Sequence, residues 1–91
     1  MALPSDMRPK LARGIRLQFD AARDQWVLQA PERVLVLDEI AAEVLQRCTG
    51  EADIAAIVAS LAEAFEAEPG EIAADVDELL TGLIEKRIVA T

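Results

Sequence analysis

The stretch that decides the fold is ERVLVLDEIAAEVLQRCTG, residues 32 to 50. A short apolar run with a turn signal before it is typical of a buried strand. Here that run has four branched residues in succession: Val34, Leu35, Val36 and Leu37. After Asp38 the apolar residues recur at helical spacing, at Ile40, Val44, Leu45 and Cys48. The stretch therefore predicts a strand that leads directly into a helix.

Two further strands are predicted upstream of this stretch. In GIRLQFD, the residues Ile15, Leu17 and Phe19 alternate with polar ones, which is the period of a half-buried strand. In WVLQA, Trp26 and Leu28 share one face. Pro31-Glu32 then predicts a tight turn, because proline presets the backbone of the first central turn position. The short connections favour an antiparallel sheet of three strands.

Three helices are predicted downstream. Asp38 and Asp53 can cap the first two, and Gly50 and Pro69-Gly70 are expected to end them. The third helix has an apolar stripe made of Ile72, Val76, Leu79, Leu80 and Leu83. The predicted fold class is therefore α+β, with a three-stranded antiparallel sheet followed by three helices. Residues 1 to 10 carry no period, so we expect a flexible arm there and a single domain over residues 11 to 91.

Composition argues against catalysis and metal binding. The chain has 91 residues, no histidine and one cysteine, Cys48. It contains no phosphate-binding glycine loop, no nucleophile–base set and no metal-ligand spacing. No apolar run approaches the roughly 20 residues that a membrane span requires. We therefore expect a cytoplasmic protein that has no catalytic residue, no metal, no cofactor and no membrane contact.

The charge is distributed unevenly along the chain. Residues 1 to 37 carry six basic and four acidic side chains, whereas residues 38 to 91 carry three basic and thirteen acidic ones. A helical half this acidic repels a phosphate backbone, which attracts its partners mainly by charge. Nucleic acid is therefore not expected as a partner.

The third strand is an edge of the predicted sheet, and its outer backbone groups need partners. Natural edges are usually protected by proline, lysine or a bulge, which residues 34 to 37 lack. A following helix, a second copy of the chain, or an extended peptide added as a further strand could each pair with it. An uninterrupted apolar strand suits the last of these, with one face on the helices and the other lining a groove.

An ordered set of residues resembles the PqqD family, small peptide chaperones of pyrroloquinoline quinone biosynthesis. The resemblance spans about residues 9 to 89. Phe65 stands where the family often has tyrosine, and Asp53 where it often has threonine. The residues that carry the resemblance are Pro9, Leu11, Gly14, Arg16, Leu17, Trp26, Pro31, Glu32, Leu37, Ala41, Leu45, Cys48, Thr49, Gly50, Asp75, Val76, Leu79, Leu80 and Leu83.

The resemblance implies a winged helix-turn-helix-like recognition element that binds the leader of the precursor peptide PqqA and presents it to the radical SAM enzyme PqqE. The peptide would lie against the third strand and the third helix. On this chain those positions are Val34, Leu35, Val36 and Leu37, with Asp75, Leu79, Gly82, Leu83 and Lys86. Gly82 would allow close approach of a backbone, and Asp75 and Lys86 would meet charged leader residues. The opposite flank of the helix, at Leu80 and Ile84, is an alternative wall.

Two other functions fit the same order of elements. A winged-helix regulator that binds DNA would share the fold, although the acidic charge opposes it. A dimerisation module would pair edge to edge through the third strand.

Overall fold

A computed structural model describes residues 3–91. The strands are β1 (Lys10–Leu11), β2 (Arg16–Asp20), β3 (Gln25–Ala30), β4 (Arg33–Leu37) and β5 (Val89–Ala90). The helices are α1 (Glu39–Gln46), α2 (Ile54–Ala64) and α3 (Pro69–Glu85). The predicted α+β order, an antiparallel sheet of three strands followed by three helices, is confirmed. The likeness to a winged helix-turn-helix stays a prediction.

The sheet has the order β2-β3-β4, and both pairs of neighbours are antiparallel. Leu17, Leu28 and Leu35 lie opposite one another and form a row across it. Leu28 is completely buried, and the other two pack against the core from partly buried positions. This row makes one face of the sheet the inner face, which is the face that the alternation in GIRLQFD and WVLQA predicts.

The helices begin where the sequence places their caps. The Asp38 carboxylate accepts a hydrogen bond from the Ala41 amide at 2.7 Å, and the Asp53 carboxylate accepts one from the Ala56 amide at 2.8 Å. Each bond satisfies one amide that the first helical turn leaves unpaired. Pro69-Gly70 was expected to end α2, but α2 already ends at Ala64. Pro69 instead occupies the first turn of α3, where the missing amide of proline costs nothing.

The core lies between the helices and the inner face of the sheet. It is built from side chains of all three helices, of β3 and of β5. The large side chains that are almost completely buried are Leu28, Val44, Leu45, Ile57, Leu61, Val76, Leu80 and Ile88. Buried apolar area of this kind contributes roughly 25 cal/mol per Å², so the helices and the sheet depend on each other for stability.

The N-terminal segment lies against the domain. The amides of Ile54 and Ala55 donate to the carbonyls of Met7 and Ser5 at 2.9 and 3.0 Å, so this segment completes the cap of α2. β1 then pairs antiparallel with β5. This placement differs from the loose arm predicted for residues 1 to 10, of which Met1 and Ala2 lie outside the described residues. Main-chain hydrogen bonds leave no side-chain period, so the sequence pattern did not indicate them.

The first helix ends earlier than predicted. α1 stops at Gln46, with Arg47 as its C-cap, and Cys48 follows outside the helix. Gly50 was expected to end α1. Instead it adopts a left-handed conformation (φ +86°) in the next loop, where its amide donates to the Pro9 carbonyl at 3.0 Å. Glycine adopts this conformation without strain, and here it allows the N-terminal segment to dock rather than ending the helix.

The end of α3 carries an arginine where glycine is the usual residue. Lys86 is the C-cap, and Arg87 follows with a left-handed φ of +61°. The Ile88 amide donates to the Leu83 carbonyl at 2.9 Å and the Arg87 amide to the Ile84 carbonyl at 3.0 Å, which is the Schellman pattern. A residue with a Cβ pays a conformational cost of about 1 kcal/mol at this position.

We therefore expect Arg87→Gly to raise the free energy of unfolding by about 0.5–1 kcal/mol, because glycine adopts the left-handed conformation without strain. Lys86→Gly is the matched control. Lys86 has a φ of −85°, so glycine there should lower the free energy of unfolding by a similar amount. Urea unfolding of both variants measures the difference. A less stable Arg87→Gly protein would contradict this account of the helix end.

Candidate functional site

A groove of about 540 Å³ lies between the start of α1 and one side of α3. It brings together all five residues of the third helix that the sequence placed in the site: Asp75, Leu79, Gly82, Leu83 and Lys86. Asp38, Ile40 and Ala41 form the opposite wall. The positions on α3 recur every three or four residues, so they share one side of the helix.

Gly82 opens the middle of the groove. A Cβ built at this position would meet no heavy atom within 4 Å outside its own neighbourhood, so the space above the helix is empty there. Glycine inside a helix costs about 1 kcal/mol relative to alanine. Packing against the rest of the described chain does not require this glycine, and its effect is to leave room in the groove.

The alternative wall at Leu80 and Ile84 does not face the groove. Leu80 is completely buried in the core, and Ile84 packs against the same core from a partly buried position. Of the two flanks considered from the sequence, the one with Asp75, Leu79, Gly82 and Lys86 is therefore the flank that lines the cavity.

β4 forms an edge of the sheet, and within residues 3–91 it pairs only with β3. Ala30 and Arg33 close the two-residue turn between them and are partners in the register. Closing pairs of such turns exchange hydrogen bonds, and the following pairs alternate. The amides of Val34 and Val36 therefore point to the free edge, whereas those of Arg33, Leu35 and Leu37 point towards β3.

The side chains of β4 divide between the core and the outer face of the sheet, and none of them faces the groove as expected. Leu35 and Leu37 pack against the core. Val34 and Val36 are 58% and 64% exposed on the outer face of the sheet, away from the helices. The four strand residues do not line the groove, and the expectation that one face of the strand would do so is wrong. What β4 offers to a partner in the plane of the sheet is its backbone.

The two ends of β4 lie near the two ends of the groove. Arg33, at the start of β4, lies in one cleft with Lys86, whereas Asp38, directly after β4, lines the groove with Asp75. From Asp75 to Lys86 the chain rises about 16 Å along α3, and β4 spans about 14 Å from Arg33 to Leu37. The strand edge and the side of α3 therefore have similar lengths, which suit about five residues of an extended chain.

The charges in the groove differ between its ends. Asp38, Asp75 and Glu78 are carboxylates, and Lys86 is the single base of the lining. Asp75, Glu78 and Lys86 are exposed, and neither ion pair found in residues 3–91 involves them. An extended ligand in this groove would meet negative charge near Asp75 and positive charge near Lys86.

Several lining residues were missed from the sequence. Asp38, Ile40 and Ala41 were interpreted only through α1, as its cap and its beginning. Their second role depends on how α1 packs beside α3, which no local pattern reveals. Glu78 could have been found, because it lies three residues after Asp75 and four before Gly82 and so falls on the same side of α3.

Comparison with known proteins adds an independent finding. Residues 25–89 match the family model described as coenzyme PQQ synthesis protein D (PqqD). The chain belongs to the PqqD family. It is 50% identical over 88 residues to a protein named PqqA binding protein of Xanthomonas oryzae pv. oryzae, covering 97% of this chain and 96% of that protein. A PqqA binding protein of Xanthomonas campestris pv. campestris is 52% identical over 84 residues, covering 92% and 91% of the two chains.

Two solved PqqD structures are similar to this one. The solution structure of the PqqD truncation of Methylobacterium extorquens PqqCD superposes with a TM-score of 0.84 at 38% identity, covering 100% of this chain and 96% of that one. It is described as a functional, stand-alone RiPP recognition element. The crystal structure of PqqD from Xanthomonas campestris gives a TM-score of 0.63 at 49% identity, covering 99% and 100%. Of these two structures, the Xanthomonas campestris protein is thus more similar to this chain in sequence but less similar in conformation.

Two further features concern metal binding and membrane insertion. Within residues 3–91, no three histidine, cysteine, aspartate or glutamate side chains come together as a metal ion would require. Over the same range, no helix has the length and apolar composition needed to cross a bilayer. Relatives are named as binding proteins or recognition elements.

The thiol of Cys48 is unsuited to nucleophilic attack. The residue is 4% exposed, and its thiol donates to the Val44 carbonyl at 3.3 Å. Desolvation by burial raises the pKa of Cys48 from 9.0 to about 11, so the thiolate is scarce near neutral pH. The raised pKa also means that the stability from keeping this thiol protonated is present below pH 9 and is lost as the pH rises through 11.

We expect iodoacetamide at pH 8 to label Cys48 at least about a hundredfold more slowly in the folded protein than in urea, because both burial and the raised pKa suppress the thiolate. Mass spectrometry of timed aliquots measures the two rates. Labelling of the folded protein at the rate of the unfolded chain would show that the thiol is exposed, and the assignment of Cys48 to the core would be wrong.

Proposed function

We propose that this chain binds the leader of the precursor peptide PqqA as a fourth strand along β4, with the side chains of one peptide face in the groove beside α3. The observation that carries the proposal is the free edge of β4 close to a groove of similar length. Strand addition obtains affinity from main-chain hydrogen bonds and specificity from pockets for alternate side chains. The amides of Val34 and Val36 supply the former, and the groove supplies the latter.

The names of relatives support the choice of peptide. Proteins about half identical to this chain over almost its whole length are called PqqA binding proteins, and a structural neighbour is called a RiPP recognition element. The groove is suited to a short extended segment because Gly82 leaves its floor open. Aliphatic peptide side chains can contact Leu79 and Leu83 there, between the charged ends.

Presentation of the bound peptide to the radical SAM enzyme PqqE is the second part of the proposal. It rests on the family resemblance. A peptide seated by one edge and one helix leaves its remaining length available to an enzyme, and the chain need not contribute a catalytic group. The cytoplasm is the proposed location, and a single buried cysteine with a free thiol fits its reducing conditions.

We expect Gly82→Leu to weaken binding of a fluorescently labelled PqqA peptide by roughly tenfold or more, which corresponds to about 1.4 kcal/mol. The leucine side chain would fill the floor of the groove, while leucine is a better helix former than glycine, so the fold should be kept. Fluorescence anisotropy titrations of wild type and variant measure the affinity, and circular dichroism checks the folding.

Gly70→Leu is the matched control. Gly70 lies in the first turn of the same helix, outside the groove, and a Cβ there also meets no atom within 4 Å. The control should bind the peptide with wild-type affinity. Equal affinities for all three proteins would remove the groove from the binding site, and a folded wild type that does not bind PqqA would refute the proposed function.

A further inference from the structure

A second cleft, of about 350 Å³, lies next to the groove and is lined mainly by positive charge. Three segments meet there: the loop between β1 and β2, the turn between β3 and β4, and the link between α3 and β5. The floor is apolar and includes Ile15 and Ile88. Four basic side chains line it, and we call it the cationic cleft: Arg13, Arg33, Lys86 and Arg87.

This concentration of bases is unusual for the chain. The sequence has 9 lysines and arginines against 17 acids, yet four of the bases line one cleft. In residues 3–91 the ion pairs join Arg23 to Asp20 and Arg47 to Glu43, so none uses these four. Glu32 lines the same cleft without a carboxylate–cation contact within 4 Å. With four bases and one acid, the lining of the cleft carries a net charge of +3, and none of the four bases is held in an ion pair within residues 3–91.

The backbone at Arg87 points to a role for its side chain. The left-handed conformation there is set by the hydrogen bonds that end α3, and glycine would satisfy those bonds with less strain. A positive charge suits the C-terminal end of a helix, but the neighbouring Lys86 supplies such a charge without a left-handed backbone. Arg87 is exposed and lines the cleft, and the planar donors of an arginine side chain match a carboxylate.

The cationic cleft is continuous with the groove. Lys86 lines both cavities. Arg33 is the first residue of β4, so the cleft stands at one end of the strand edge that the proposed function assigns to the peptide. Asp38 and Asp75 stand towards the other end. A peptide that follows the edge over its whole length must therefore pass from the cleft to the acidic end of the groove.

We propose that the cationic cleft is a subsite for an aspartate or glutamate side chain of the bound precursor peptide. The inference rests on the proposed function and adds to it a charge-selective anchor. It also fixes which way the peptide lies, because the acidic peptide residue must sit beside Arg33 and Arg87. A basic peptide residue is then placed at the opposite end, near Asp75.

The test compares two double variants with equal changes in net charge. Arg33→Gln combined with Arg87→Gly removes two charges from the cleft, and the helix end is expected to stay intact. Arg16→Gln combined with Arg23→Gln removes two exposed arginines of β2 and its turn, neither of which lines the cleft. The probe is a synthetic PqqA peptide with a fluorescent label, titrated into the full chain at about 0.05 M and about 0.5 M salt.

At the lower salt concentration we expect the cleft variant to bind the peptide about tenfold more weakly than wild type, and the control variant to bind within about twofold. At the higher concentration the difference should shrink to about threefold or less, because salt screens exposed charges. Equal losses in the two variants would overturn the subsite, since they would show that only the overall charge matters.

A second arm identifies the peptide residue. Each acidic residue of the PqqA peptide is replaced in turn by its amide. One such peptide should bind wild type with the same loss as the cleft variant shows, and should lose nothing further on that variant. If every amide peptide loses affinity to the same extent on both proteins, no peptide acid occupies the cleft and the subsite is refuted.

The outcomes separate this inference from the proposed function. Tight PqqA binding that ignores the cleft variant refutes the subsite and leaves the proposed function standing. A folded wild type that fails to bind PqqA refutes both. Duplex DNA of random sequence serves as a competitor, and its capture by wild type but not by the cleft variant, without PqqA binding, would assign the cleft to phosphates instead.

Discussion

The alternation of side chains along β3 and β4 is the constraint on which the rest of the structure depends. Leu28 and Leu35 face the core, and a shift of β4 by one residue along β3 would turn Leu35 and Leu37 to the outer face. The same register decides which amides of β4 point to the free edge. Burial of the inner face therefore fixes the pattern of backbone donors and acceptors that β4 offers to a further strand. The side chains of β4 set this pattern through their burial but do not themselves form the hydrogen bonds.

The elements visible in the sequence are those whose signals are local. The alternation in β2 and β3, the apolar stripe of α3 and the caps at Asp38 and Asp53 each depend on residues within one or two turns of one another, and the structure places them as predicted. The pairing of β1 with β5 joins opposite ends of the chain through backbone groups. No periodicity reports such contacts, so the docking of residues 3–11 was not predicted.

The candidate site could be predicted only in part from the sequence. The family resemblance implied that the third helix takes part, helical spacing grouped positions on it, and all five predicted residues line the groove. The strand positions followed from the edge, but the assumption that their side chains face the groove failed, because Val34 and Val36 lie on the outer face. Arg13, Arg33 and Arg87 come from three segments distant in sequence. Their convergence depends on the packing of β1, β4 and the end of α3, and no local sequence pattern predicts that packing.

The chain combines an acidic helical half with a small basic cleft at the end of its open strand edge. Its acidity disfavours contact with nucleic acid, and the cleft offers local attraction for an acidic segment. In the proposed binding mode, backbone pairing along β4 would accept many sequences, whereas charge at the two ends of the groove would select among them and orient them. Affinity and selectivity are thus assigned to different groups of atoms on one surface.

Amide hydrogen exchange along β4, followed by NMR with and without PqqA, tests the strand-addition claim most directly. Arg33, Leu35 and Leu37 donate within the sheet, so their exchange should change little on binding, whereas the free-edge amides of Val34 and Val36 should become strongly protected. Protection that alternates along the strand in this way is the result that the account predicts. A bound peptide that leaves Val34 and Val36 exchanging as in the free protein would contradict it.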